Sequence, residues 1–112
     1  MNVLVTGATG FIGSHIVDHV LRAGHTVGVL ARDPEKQKSV LAGLGIAPED
    51  VACHRGDVLN DTWLALLPRY QAVVHCAGMM SKSSADVQRM WDLNVTGSDR
   101  VLKESVAAGL DP

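Results

Sequence analysis

The sequence predicts an α/β fold: a parallel sheet covered by helices on both faces. Three observations predict it. A β-forming run, Val3-Leu4-Val5, leads into a glycine-rich turn, and a helix-periodic segment follows at once. Further apolar runs at 26–31, 51–55 and 72–76 alternate with helical patterns, as parallel crossover units do. At 112 residues, 46% hydrophobic and with a net charge of −2, the chain suits one domain with a modest core. No basic stripe suggests nucleic acid as a partner, and no apolar run is long enough for a membrane. The first strand starts at Asn2 without a positively charged leader, which argues against a signal peptide.

The turn Gly7-Ala8-Thr9-Gly10-Phe11-Ile12-Gly13 has the spacing G-x-x-G-x-x-G, one residue longer than the commonest dinucleotide fingerprint. A strand before it and a helix after it supply the context a pyrophosphate requires. Gly7 permits a tight turn, Gly10 removes a Cβ from the path of the phosphates, and Gly13 lets the helix pack closely on the strand. The helix start then offers free N–H groups and a positive dipole end to the anion.

Phe11 to Ala23 carries apolar residues at Ile12, Ile16, Val17, Val20 and Leu21, one helical face, with Gly24 as its left-handed stop. His15 and His19 are four apart but have no third ligand nearby in sequence, so no metal site is assigned. Thr26 to Ala31 reads as a buried parallel strand. The position that often carries a ribose-binding acid is Ala31, which cannot do this. Arg32 follows and can pair with a 2′-phosphate, with Lys36 or Lys38 adding charge, which favours NADP over NAD. Asp33 competes as a ribose ligand, yet Asp before Pro34 is also an N-cap followed by proline at the first helical position. The cap is taken for Asp33 and the phosphate for Arg32.

A helix is expected from Pro34 to about Leu41 and a turn at Pro48-Glu49-Asp50. A third strand then runs from Val51 to Arg55 and a short helix from Asp61 to Leu67, with Trp63 and Leu66 in the core. Asp57 lies at the carboxyl end of the third strand, where it can accept from an adenine amino group or simply cap the turn. The fourth strand, Ala72 to Cys76, ends in Ala77-Gly78, small residues that let backbone approach a ribose. His75 has no carboxylate in view and is read as packed rather than catalytic. Cys53 and Cys76 lack metal-type spacing and are expected as reduced thiols on neighbouring strands, with a cytoplasmic location as the default. From Ala85 to Ala108 one long helix or two abutting helices would fit, with an irregularity at Asn94 and Gly97.

Taken together, the chain resembles the cofactor half of the extended short-chain dehydrogenase/reductase superfamily, the NAD-dependent epimerase/dehydratase family. The matching residues are Thr6 to Gly13, Gly56-Asp57-Val58, His75-Cys76-Ala77-Gly78 and Asn94-Val95-Thr96-Gly97, in the family's order across nearly the whole chain. Arg32-Asp33-Pro34 is similar to the NADP-using branch of dihydroflavonol reductases and hydroxysteroid dehydrogenases, and unlike the sugar epimerases. The resemblance implies a Rossmann-like three-layer sandwich with about four strands, the fifth and later ones absent. It implies cofactor contacts from Gly7, Thr9, Gly10, Phe11, Ile12 and Gly13 at the pyrophosphate and from Arg32, helped by Lys38, at the 2′-phosphate. Asp57 and Val58 would hold the adenine, and Cys76, Ala77 and Gly78 would line the nicotinamide ribose. NADP is the implied cofactor, with NAD as the alternative.

Family members act through a Tyr-x-x-x-Lys pair. The one tyrosine here, Tyr70, is followed four positions later by Val74, so no catalytic residue is assigned. The expectation is a chain that stops before that region, with the backbone edge of the fourth strand, Ala72 to Cys76, left open. Such a chain would bind a dinucleotide and would meet a small-molecule substrate only in a complete protein. It could dimerise through its long C-terminal helix. The alternative is a non-enzymatic NADP-binding sensor or interaction module.

Overall fold

A computed structural model describes all residues 1–112. Four strands form one parallel sheet: β1 (Asn2–Thr6), β2 (Thr26–Ala31), β3 (Val51–Arg55) and β4 (Ala72–His75), in the spatial order β3-β2-β1-β4. The chain moves outward from β1 to β3, then returns to the other side of β1. That reversal opens a crevice at the carboxyl ends of β1 and β4. The register runs Thr6 opposite Leu30 on one side and opposite His75 on the other.

Side-chain alternation divides the core in two. Val3, Val5, Val27 and Val29 point to the face covered by α1 (Phe11–Arg22) and α2 (Pro34–Ala42), where Val17 and Leu41 meet them. Leu4, Leu30 and Val73 point to the opposite face, against Trp63, Leu67, Val101 and Leu110. Both faces of the sheet are therefore covered, which explains the unbroken apolar runs of β1 and β2.

The segment expected as a helix over 61–67 is a succession of 3₁₀ turns, Thr62–Arg69. Pro68 inside it has no N–H to donate and would clash with an α-helical carbonyl four residues back. Trp63 is fully buried there and Leu66 packs beside it. The C-terminal segment runs as α3 (Val87–Trp91), a π-helical stretch (Asp92–Gly97) and α4 (Ser98–Ala107), so the expected irregularity is a widened turn containing both Asn94 and Gly97.

Two expectations are corrected. Cys53 and Cys76 are free thiols, but β3 and β4 are the opposite edges of the sheet and the two residues do not lie on neighbouring strands. The crossover from β3 to β4 passes over β2 and β1, which local spacing does not reveal. The edge of β4 is also not open along its whole length. Gly109, at φ +80°, turns the chain after α4 and drops Leu110 into the core. Asp111 then pairs in parallel with Ala72, its N–H donating to Gln71 O (3.0 Å) while Val73 N–H donates to Asp111 O (2.8 Å).

Candidate functional site: the cleft at the strand ends

A cleft of about 470 Å³ occupies the crevice. Its floor is the glycine-rich turn from Gly7 to Gly10. Its walls are Arg32, Asp33, Lys36 and Gln37 after β2, Gly56 to Val58 after β3, and Cys76 to Gly78 after β4.

The three glycines of the turn differ physically. Gly7 has φ +72°, and a Cβ there would lie 2.4 Å from Ala77 N. A Cβ on Gly13 would lie 2.2 Å from Gly7 O, so α1 can pack onto the turn only without one. Gly10 is different. Its φ of −79° suits any residue, and the nearest atom to an added Cβ is Gly7 O at 3.4 Å. The fold requires glycine at 7 and 13, and not at 10.

Gly10 is also the residue before α1, and it gives that helix no side-chain cap. With no acidic residue in the first turn, the helix start keeps its positive end uncompensated beside the cleft. Gly7, Thr9 and Gly10 line the cleft, and Gly13 lies behind the turn. Phe11 and Ile12 turn their side chains to solvent, at 80% and 69% exposure, so only their main chain is available at the helix start.

After β2, Asp33 Oδ1 accepts from Lys36 N–H at 3.2 Å, the N-cap expected for an Asp-Pro step. Arg32 is exposed at the rim. The structure places Lys36 in the cleft wall and Lys38 outside it, 3.5 Å from Glu35 Oε1. Two residues along a helix face nearly opposite directions, so only one of the two lysines can face the cleft. Asp57 stands in the wall and also accepts from Leu59 N–H at 3.0 Å, so it both caps its turn and faces the cleft. Val58 is buried against the cleft, and its carbonyl accepts from the Trp63 indole at 3.3 Å.

On the far wall, Ala77 N–H donates to Thr6 Oγ1 at 3.3 Å. His75 joins the same oxygen through Nδ1 (2.6 Å) and Ser98 Oγ through Nε2 (3.0 Å), linking β1, β4 and α4. Burial holds the His75 pKa below its ordinary value, which favours the neutral ring. Asn94 fixes the next stretch, its side chain accepting from Met79 N–H and donating to Met79 O, both at 2.7 Å. Burial pushes the Cys76 thiol pKa up, so this wall is uncharged.

Sequence reasoning missed Gln37, fully buried in the wall. Its signal was available: it lies four residues before core Leu41, on the inward face of α2.

The sequence profile of the NAD dependent epimerase/dehydratase family matches residues 3–111. The chain belongs to that family. UDP-glucose 4-epimerase of Neisseria meningitidis is 34% identical over 115 residues, covering 97% of this chain and 34% of that protein. The decarboxylating sterol-4-alpha-carboxylate 3-dehydrogenase of Dictyostelium discoideum is 28% identical over 98 residues, covering 88% of this chain and 28% of that one. Among solved structures, UDP-glucose-4-epimerase from Stenotrophomonas maltophila with bound NAD and formylated UDP-arabinopyranose superposes with a TM-score of 0.80. It is 29% identical, covering 98% of this chain and 34% of that one. The chain thus spans about a third of the length of these relatives. Similarity along nearly the whole chain extends to sugar epimerases as well as to a sterol dehydrogenase.

Proposed function

We propose that this chain binds a nicotinamide dinucleotide, NADP in preference to NAD, as the cofactor-binding part of an oxidoreductase, epimerase or dehydratase acting on a carbonyl or alcohol. The observation that carries the reading is Gly10. A glycine that the fold does not need, at the mouth of a cleft and at an uncapped helix start, is explained by a ligand approaching the main chain there. Solved relatives in the family are described with bound NAD, in agreement with a dinucleotide of this kind.

The preference for a 2′-phosphate rests on Arg32 and Lys36. Both line the cleft after β2, where the Asp33 carboxylate is engaged in capping α2. An Arg can grip a phosphate through two parallel hydrogen bonds. The Asp57 carboxylate in the cleft wall can accept from an adenine amino group, and the small residues Cys76 to Gly78 suit the nicotinamide ribose. Catalysis is assigned to groups outside these residues. The hydroxyl of Tyr70 lies 2.7 Å from His54 Nε2, in the space a Cβ on Gly28 would fill, and not in the cleft. Burial raises its pKa, opposite to the shift an activating lysine gives a catalytic tyrosine.

Calorimetric titration with NADP and NAD tests the reading. Gly10→Ala is expected to weaken both nucleotides about tenfold while leaving stability within about 1 kcal/mol. Arg32→Ala is expected to weaken NADP about tenfold and NAD by less than about twofold. Wild-type chain that binds neither nucleotide would overturn the proposal. Equal affinities untouched by Arg32→Ala would overturn the NADP preference alone.

A further inference from the structure

Gln37 is fully buried, yet it sits in the wall of a cleft. Its side-chain Nε2 donates to Ala8 O at 2.9 Å, and the Ala8 carbonyl receives no main-chain donor. The other end of the same amide, Oε1, is buried with no partner at all. A side chain selected for stability alone would not take this form. An apolar residue such as Leu41, four positions on along the same face, fills its site without stranding an oxygen.

What the amide achieves is a tie. Ala8 lies between Gly7 and Gly10 in the turn, and Gln37 lies one residue beyond Lys36 on α2. The bond therefore fixes the peptide plane after Ala8 against the helix that carries the cationic wall. The orientation of that plane sets where the following N–H groups of the turn point. Resting on the nucleotide reading above, we infer that Gln37 is a positioning residue: its side-chain amide orients the glycine-rich turn for the pyrophosphate of the bound dinucleotide. Its price is the stranded oxygen, a local defect retained beside a binding site.

Gln37→Met tests this. Methionine keeps the length and fills the space, removing the stranded Oε1 while leaving the Ala8 carbonyl without its donor. One unsatisfied buried oxygen is exchanged for another, so the melting temperature is expected to stay within about 5 °C of wild type. NADP should bind about tenfold more weakly. Adenosine 2′-monophosphate carries the group that meets Arg32 but no pyrophosphate, and its affinity should change by less than about twofold. Gln37→Leu, one atom shorter, should give the same pattern. Unchanged NADP affinity, equal weakening of both ligands, or a large fall in melting temperature in both variants would each overturn the inference. Wild-type chain that fails to bind NADP and NAD would instead remove the nucleotide reading and this inference with it.

Discussion

The first helix and the last helical segment show the same kind of apolar periodicity and end in different situations. Along α1, Val17 is fully buried and Ile16, Val20 and Leu21 pack against the cluster that holds the valines of β1 and β2. Along 87–107, Val101 is fully buried, while Val87, Trp91, Val95, Leu102 and Val106 stand 44–63% exposed. The cause lies in the connections. Gly13 brings α1 against the turn that ends β1, and α1 joins two paired strands, β1 and β2, and lies over the valines of both. The later segment covers the sheet with one stripe only, through Gly97, Val101 and Ser105. Periodicity thus announces that a helix has an apolar face, and not how much of that face the same chain covers.

The sharpest way to break this comparison is at Gly13. A valine there would overlap backbone atoms that cannot move aside, and Gly13→Val is expected to abolish cooperative unfolding in a urea melt, a loss of more than about 3 kcal/mol. A valine at Gly97 would bring its Cβ no closer than 3.3 Å to any neighbour, Val58 Cγ2, against 2.2 Å at Gly13, and is expected to cost less.

The two tryptophans sharpen the contrast. Trp63 is 1% exposed and donates through its indole, whereas Trp91 is 60% exposed. Trp63→Ala should destabilise by about 3–5 kcal/mol and Trp91→Ala by less than about 0.5 kcal/mol in the same melts. Similar values would show that the exposed stripe is covered in solution.

The smallest effect concerns His75, the link between α4 and the first strand. Its pKa is lowered from 6.5 by burial, so the unfolded chain takes up the proton more readily than the folded one. Stability is then full above pH 6.5 and declines as the pH falls through the lowered value. His54 acts in the same direction, through burial and then Arg69. Urea midpoints should drop between pH 7.5 and 5.5, and His75→Gln should reduce that drop. A wild-type midpoint that does not change over this range would refute the assignment.

Much of the fold could be read along the chain because it depends on local rules. The bounds of β2 and β3, the cap at Asp33 and the stop at Gly24 follow from residues within a few positions of each other. The glycine turn was legible for the same reason. What escaped depends on partners distant in sequence. Which edge of the sheet β4 joins decides the separation of Cys53 from Cys76. The pairing of Asp111 with Ala72 needs the whole C-terminal segment in place. Within the cleft, choosing Lys36 over Lys38 required knowing which flank of α2 borders the crevice, and that depends on how the helix lies on the sheet. The role of Gln37 required knowing that Ala8 lies beside it, 29 residues away in the chain.

The interlock of Gly7 with the backbone of Cys76 and Ala77 has a mechanical consequence. A Cβ on Gly7 would run into the main chain of Cys76 and Ala77, so at that point the two loops meet backbone to backbone. The Thr6 hydroxyl, accepting from Ala77 N–H, and the Gln37 amide, donating to Ala8 O, tie the same base to β4 and to α2. An arriving molecule meets a base already set in place, and the disorder that would otherwise be lost on docking was surrendered when the chain folded.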